Sequence, residues 1–139
     1  MKTLIPCFAA IMTIAAAPVA PAATELPALA RLEPGQWTLA SRDAPSAGRN
    51  LCMADARAFV QIEHRNASCS RFVIASTPKD ATVHYTCPGQ GHGRTTVRVE
   101  SARLAQIETQ GIVAGAPFSA TFEARRSGDC ASKAAPIPR

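Results

Sequence analysis

Aromatic side chains are scarce in this chain, with one Trp, one Tyr and five Phe among 139 residues. Platforms that stack unpaired bases need more of them. The formal charge is +5, from fifteen Lys+Arg against ten Asp+Glu. Nowhere do five or six like charges follow one another, and the twelve arginines are spread along the whole length. Both absences argue against nucleic acid as a partner. Scattered cations read first as a solvated outer face that keeps the protein soluble. They also suit an acidic partner. No apolar run after the first two dozen residues approaches the ~20 needed to cross a bilayer, so no membrane span is expected in the remainder. There is no G-x-S-x-G. Gly89-x-Gly91-x-Gly93 lacks the strand-to-helix context of a phosphate-cradling loop and reads as a flexible bend. His84, Cys87 and His92, with Cys69 and His64 in reach, match no strong zinc spacing. No catalytic set, metal or cofactor is assigned on these grounds.

What is present begins with an address label. Met1-Lys2 gives a short positive start, residues 3–17 are apolar apart from two threonines and Pro6, and Ala20-Pro21-Ala22 offers small residues at a cleavage spacing. That order is a secretory signal peptide over 1–22, and Pro18 and Pro21 would break a buried helix there. Cys7 would leave with it. The mature chain then keeps Cys52, Cys69, Cys87 and Cys130, an even number in an oxidising compartment, for which two disulfides are the default. Bridged thiols are unavailable as ligands or nucleophiles. The expected location is periplasmic or secreted.

Residues 23–33, rich in Ala, Pro and Leu, read as a flexible lead-in, and 131–139 as a disordered tail. A single domain is expected over 34–130. Trp37 and Leu39 alternate with polar neighbours in a first strand, and 49–53 form a second. Ala56, Phe59 and Val60 fall on one stripe of a short helix over 54–63, with Asp55 in its first turn. A hairpin follows, turning at 77–80. Pairing Phe72 with Tyr85 and Ile74 with Val83 puts all four on one face together with Cys87. Thr95, Val97 and Val99 alternate in the next strand, and Ala105 and Ile107 point inward in the one after. Residues 111–117 read as a loop, before the alternation of Phe118, Ala120, Phe122 and Ala124. The fold class is mainly β with one short helix: a curled antiparallel sheet, or partly open up-and-down barrel, of about seven strands.

Four cysteines allow three pairings. Tracing the strands up and down places Cys69 and Cys87 at the mouth of the hairpin. If the Trp37 strand lies against the last strand, Cys52 and Cys130 meet at the opposite end. A ten-residue helix, roughly 15 Å long, would carry the chain between the two ends. Geometry therefore favours Cys69–Cys87 with Cys52–Cys130, the other two pairings staying open.

Gly35-Gln36-Trp37, Cys52-Met53, Cys69, Tyr85-Thr86-Cys87-Pro88-Gly89 and Arg125-Arg126-Ser127-Gly128-Asp129-Cys130 occur in that order. The set resembles a family of small exported Gram-negative bacterial proteins catalogued as domain of unknown function 3617. The likeness spans 34–130 and is most specific in the T-C-P-G and G-D-C segments. It implies export and a shared disulfide framework, and it implies no activity.

Function is less legible. Arg94, Arg98, Arg125 and Arg126 are candidates for a surface that holds an anion or a partner, since guanidinium forks suit carboxylate and phosphate. Asp129 beside Arg125 and Arg126 reads first as a turn cap. Two classes stay open: a non-catalytic binding module of the cell envelope, meeting a protein or a small ligand, or an enzyme or hydrolase inhibitor there. A filled apolar core with His84 and His92 outside would favour the first. A closed polar pocket around His84, His92 and Asp129 would favour the second.

Overall fold

Strict apolar alternation along most of the chain yields seven strands, described together with their connections in a computed structural model over residues 26–131. They are β1 (Gly35–Ser41), β2 (Arg49–Met53), β3 (Ser70–Ser76), β4 (Asp80–Cys87), β5 (Gly91–Ser101), β6 (Leu104–Val113) and β7 (Ala116–Gly128). All seven form one antiparallel sheet in the order β2-β1-β7-β6-β5-β4-β3, with β2 and β3 as its unclosed edges. The expected signal segment and Cys7 lie outside the described residues, as does the tail from residue 132 onward.

One face carries the core. Trp37, Leu39, Val83, Tyr85, Val97, Val99, Ala105, Ile107, Phe122 and Ala124 are buried there. The first strand does run against the last, with Leu39 opposite Ala124. Two segments cover this face. The first is α1 (Pro27–Ala30), begun by a proline in its first turn, where no amide hydrogen is needed. Ala28, Leu29 and Leu32 are buried, so the expected lead-in is docked structure from residue 26 onward. Its Ala/Pro/Leu composition, read as looseness, is apolar surface that the sheet covers. The indole N–H of Trp37 donates to the Glu33 carbonyl at 3.1 Å.

The second cover is 54–68. The expected helix over 54–63 is two 3₁₀ turns, Ala56–Phe59 and Ile62–His64. The Asp55 carboxylate accepts the Arg57 amide hydrogen at 2.9 Å, and the turn ends after Phe59. Phe59 and Val60 are buried as their stripe predicts, Phe59 edge-on to Trp37 at 5.2 Å between centroids. This segment crosses from one sheet edge to the other. Arg49 of β2 pairs with Glu63 at 3.0 Å, and Arg71 of β3 donates to Gln61 Oε1 at 2.5 Å.

Both disulfides follow the favoured pairing. Cys52–Cys130 and Cys69–Cys87 have Cα separations of 5.4 and 4.2 Å.

The hairpin register differs from expectation over half its length. Ser76 faces Ala81 and Ala75 faces Thr82, which continues the expected pairing from the turn. An irregularity between Val73 and Ala75 then inserts one residue, so that Val73 faces Val83, Phe72 faces His84 and Arg71 faces Tyr85. A one-residue slip reverses every side chain beyond it. Phe72 is therefore 68% exposed, opposite His84 in place of Tyr85, and Ile74 is 45% exposed. The loop expected over 111–117 is mostly strand. β6 runs to Val113, and only Ala114 and Gly115 turn, with φ of 48° and 79°. Such two-residue turns match the twist of antiparallel strands but require left-handed backbone, for which Ala114 is an unusual carrier.

Candidate functional site

Among the described residues no helix lies on the second face of the sheet, and outward residues of adjacent strands lie in rows across it. One row is Phe72, His84, Arg94, Gln110 and Ser119; the next contains Thr86, His92, Ile112 and Pro117. His84 and His92, diagonal neighbours on β4 and β5, have ring centroids 5.8 Å apart. With Arg94, Gln110 and Ile112 they line a groove of about 360 Å³.

Glycines on the opposite face shape the sheet beneath this groove. A Cβ on Gly93 would run into the Tyr85 ring, which lies across that position from β4. A Cβ on Gly111 would strike the His92 carbonyl. These two glycines face each other across β5 and β6. Their missing side chains let the backbones approach and let the Tyr85 ring cross, while His92 and Arg94, on either side of Gly93, are sent outward.

The four arginines singled out from sequence do not form one surface. Arg98 pairs with Asp80 at 2.8 Å, and the Asp80 hydrogen bond and charge raise its pKa further. Arg125 pairs with Glu123 at 2.7 Å. The Glu123 carboxyl is held below its ordinary range, first by the Arg125 hydrogen bond and then by that of Gln106. Arg126 lies on the other face, its side chain only 15% exposed. It donates to the Pro34 carbonyl at 2.8 Å and to Asp129 at 2.7 Å. It is a strut between the chain ends, and Asp129 serves it there. Arg94 differs from all three: among the described residues no hydrogen bond or ion pair engages its guanidinium. Its nearest carboxylate on β6 in the register is Glu108, two residues from the facing Gln110, which shares an adjoining groove with it.

The covered face contains a buried polar chain that sequence reading passed over. Thr95 donates to the Val60 carbonyl at 2.6 Å, and its hydroxyl lies 2.8 Å from that of Thr109. His64 is buried, with Nδ1 3.1 Å from the Tyr85 hydroxyl and Nε2 3.3 Å from the Gln90 carbonyl. A carbonyl only accepts, so Nε2 carries the proton and Nδ1 accepts from Tyr85. Burial pushes the Tyr85 hydroxyl up to about 12, against the lowering effect of a Thr109 hydrogen bond; the Glu63 charge adds to the rise. Among the described residues no buried side-chain nitrogen or oxygen lacks a partner. These buried polar groups are thus hydrogen-bonded, as buried polar groups in native folds ordinarily are.

Cys87 is bonded to Cys69, so the His/Cys constellation weighed as a metal site has lost its thiols. Sequence reading found Arg94, His84 and His92 and missed Ile112 and Phe72 as their neighbours. Ile112 stood in the stretch taken for a loop. Phe72 was turned to the core by the expected register, and no residue pattern marks the bulge that turns it out. Neither a family model, nor a curated protein, nor a solved structure matches this chain.

Proposed function

We propose that this chain is a non-catalytic binding module of the cell envelope, exported to the periplasm or secreted, and a member of the family it resembles, domain of unknown function 3617. Its contact surface is the helix-free face of the sheet. The observation that carries this reading is the division of labour between the two faces. One is filled by apolar side chains and satisfied polar groups. The other presents His84, His92 and an unpartnered Arg94 around an open groove. Two disulfides support export, because such bonds persist where thiols are not kept reduced.

Site-specific photo-crosslinking in cells that express the full chain tests the surface. A photoreactive residue at Glu108 or Ser119, on the helix-free face, is expected to give discrete adducts, and one at the exposed Ala30 of α1 none. Adducts from Ala30 alone, or from no position, would overturn the assignment. For compartment, the expected intact mass begins near residue 23 with no alkylatable thiol; four free thiols would contradict it.

A further inference from the structure

The other singled-out arginines of this face each have an acid beside them, Arg98 the cross-strand Asp80 and Arg125 the Glu123 of its own strand. Among the described residues nothing engages the guanidinium donors of Arg94. Directly opposite it on β4 is His84, and on the other side Gln110. His92 stands diagonally across from His84, 5.8 Å away ring to ring. A neutral imidazole carries one N–H and its cation two, so both histidines can donate in either state. Every polar side chain in the groove can thus donate, and none is a carboxylate. Beside these donors stands an apolar side chain of the same groove, Ile112, which faces His92 across the β5–β6 pair.

We infer that Arg94, His84 and His92 form a subsite for the oxyanion of a small amphiphile, a carboxylate or phosphate carried on an apolar body that lies against Ile112. This rests on the helix-free face being the contact surface. The groove, about 360 Å³, is in the range of small-ligand sites. A flat anionic bilayer suits the face poorly. Away from the groove the cations of this face are already balanced, Arg98 by Asp80 and Arg125 by Glu123, with Glu108 on β6 besides. Positive potential is local to the groove, which selects a ligand that is charged at one end.

Titration of the ¹⁵N-labelled mature chain distinguishes the sources of such an anion. Three probes are used: inorganic phosphate, hexyl phosphate below its micelle concentration, and vesicles containing phosphatidylglycerol. Hexyl phosphate is expected to shift the amides of His84, His92, Arg94 and Ile112 saturably, and to bind about tenfold more tightly than inorganic phosphate through burial of part of its chain. Arg94→Gln should weaken hexyl phosphate about tenfold, as loss of a charge-assisted contact does. Arg98→Gln should leave it unchanged. Ile112→Ser should weaken hexyl phosphate and spare inorganic phosphate. Absence of saturable shifts, equal affinity in Arg94→Gln, or binding to vesicles alone would each overturn the subsite. If that happens while crosslinks from Glu108 and Ser119 persist, the subsite fails and the contact surface stands. Loss of those crosslinks removes the surface itself.

Discussion

Tyr85 and Gly93 act as a unit. The phenol ring occupies the volume that any side chain at 93 would need, and its hydroxyl reaches His64. Gly93→Ala is therefore expected to destabilise by about 2–3 kcal/mol, the cost of overpacking a filled interior, measured as a lowered urea midpoint. The same tyrosine sets an alkaline limit. Its hydroxyl is raised from 10.0 to about 12 in the folded chain, so the fold favours the neutral form. That contribution is complete below pH 10 and is lost as pH climbs toward 12, because the unfolded chain releases the proton first. Denaturation at pH 9 and pH 11.5 should show this fall, and Tyr85→Phe should flatten it while lowering stability at both. Arg126 supplies a contrast in the use of charge. Its guanidinium packs against Gly35 and links Pro34 to Asp129, so Arg126→Gln should loosen the ends of the domain while Arg94→Gln leaves stability unchanged. Melting temperatures compared between the two variants check that ordering.

Strands differ in how plainly their residues announce them. In β7, Phe122 and Ala124 point inward and Glu123 and Arg125 outward, as period-two alternation requires. β3 is the opposite case. Its apolar run Phe72-Val73-Ile74 carries no alternation, so its facing depends on register, and register depends on a bulge. The turn at 77–80 was legible because Pro78 and Asp80 favour it; the extra residue four places away leaves no such mark. Phe72→Ser is accordingly expected to change stability by less than about 0.5 kcal/mol, as exposed substitutions do. Phe122→Ala should cost about 3–5 kcal/mol. Similar penalties for both would mean that Phe72 packs inward after all, and chemical denaturation of the two variants decides it. The segment 54–68 was half legible. Its buried stripe of Phe59 and Val60 follows from spacing, whereas breaking into 3₁₀ turns follows from the need to cross between two sheet edges.

At the scale of the molecule, the sheet is open and its weak points are stapled. Gln36 of β1 faces Cys52 on one side and Gly128 on the other, so the chain leaving β7 curls past β1 to join the β2 edge at Cys130. Cys69–Cys87 holds the β3 edge by the mouth of its hairpin. The sequence separations are 78 and 18 residues. In the chain-entropy account the longer closure contributes more, roughly 4.5 kcal/mol against roughly 3. Replacing Cys52 and Cys130 with serine should thus lower the urea midpoint further than replacing Cys69 and Cys87, measured on oxidised protein. The framework could be read from cysteine positions because strands of known direction leave few ways for their ends to meet. The site could be read only in part, since a groove depends on which neighbours a register delivers, and that is decided by backbone irregularities. The pairing of β1 with β7 has one more consequence. The earliest strand to emerge from a ribosome or a translocation pore finds its inner neighbour only when the final one has followed it. Until then Cys52 lacks its native partner Cys130, whereas Cys69 and Cys87 can meet as soon as their own hairpin is out. Oxidation of the native pairs should therefore proceed from the local bridge to the distant one, the second closing only after β7 has paired with β1.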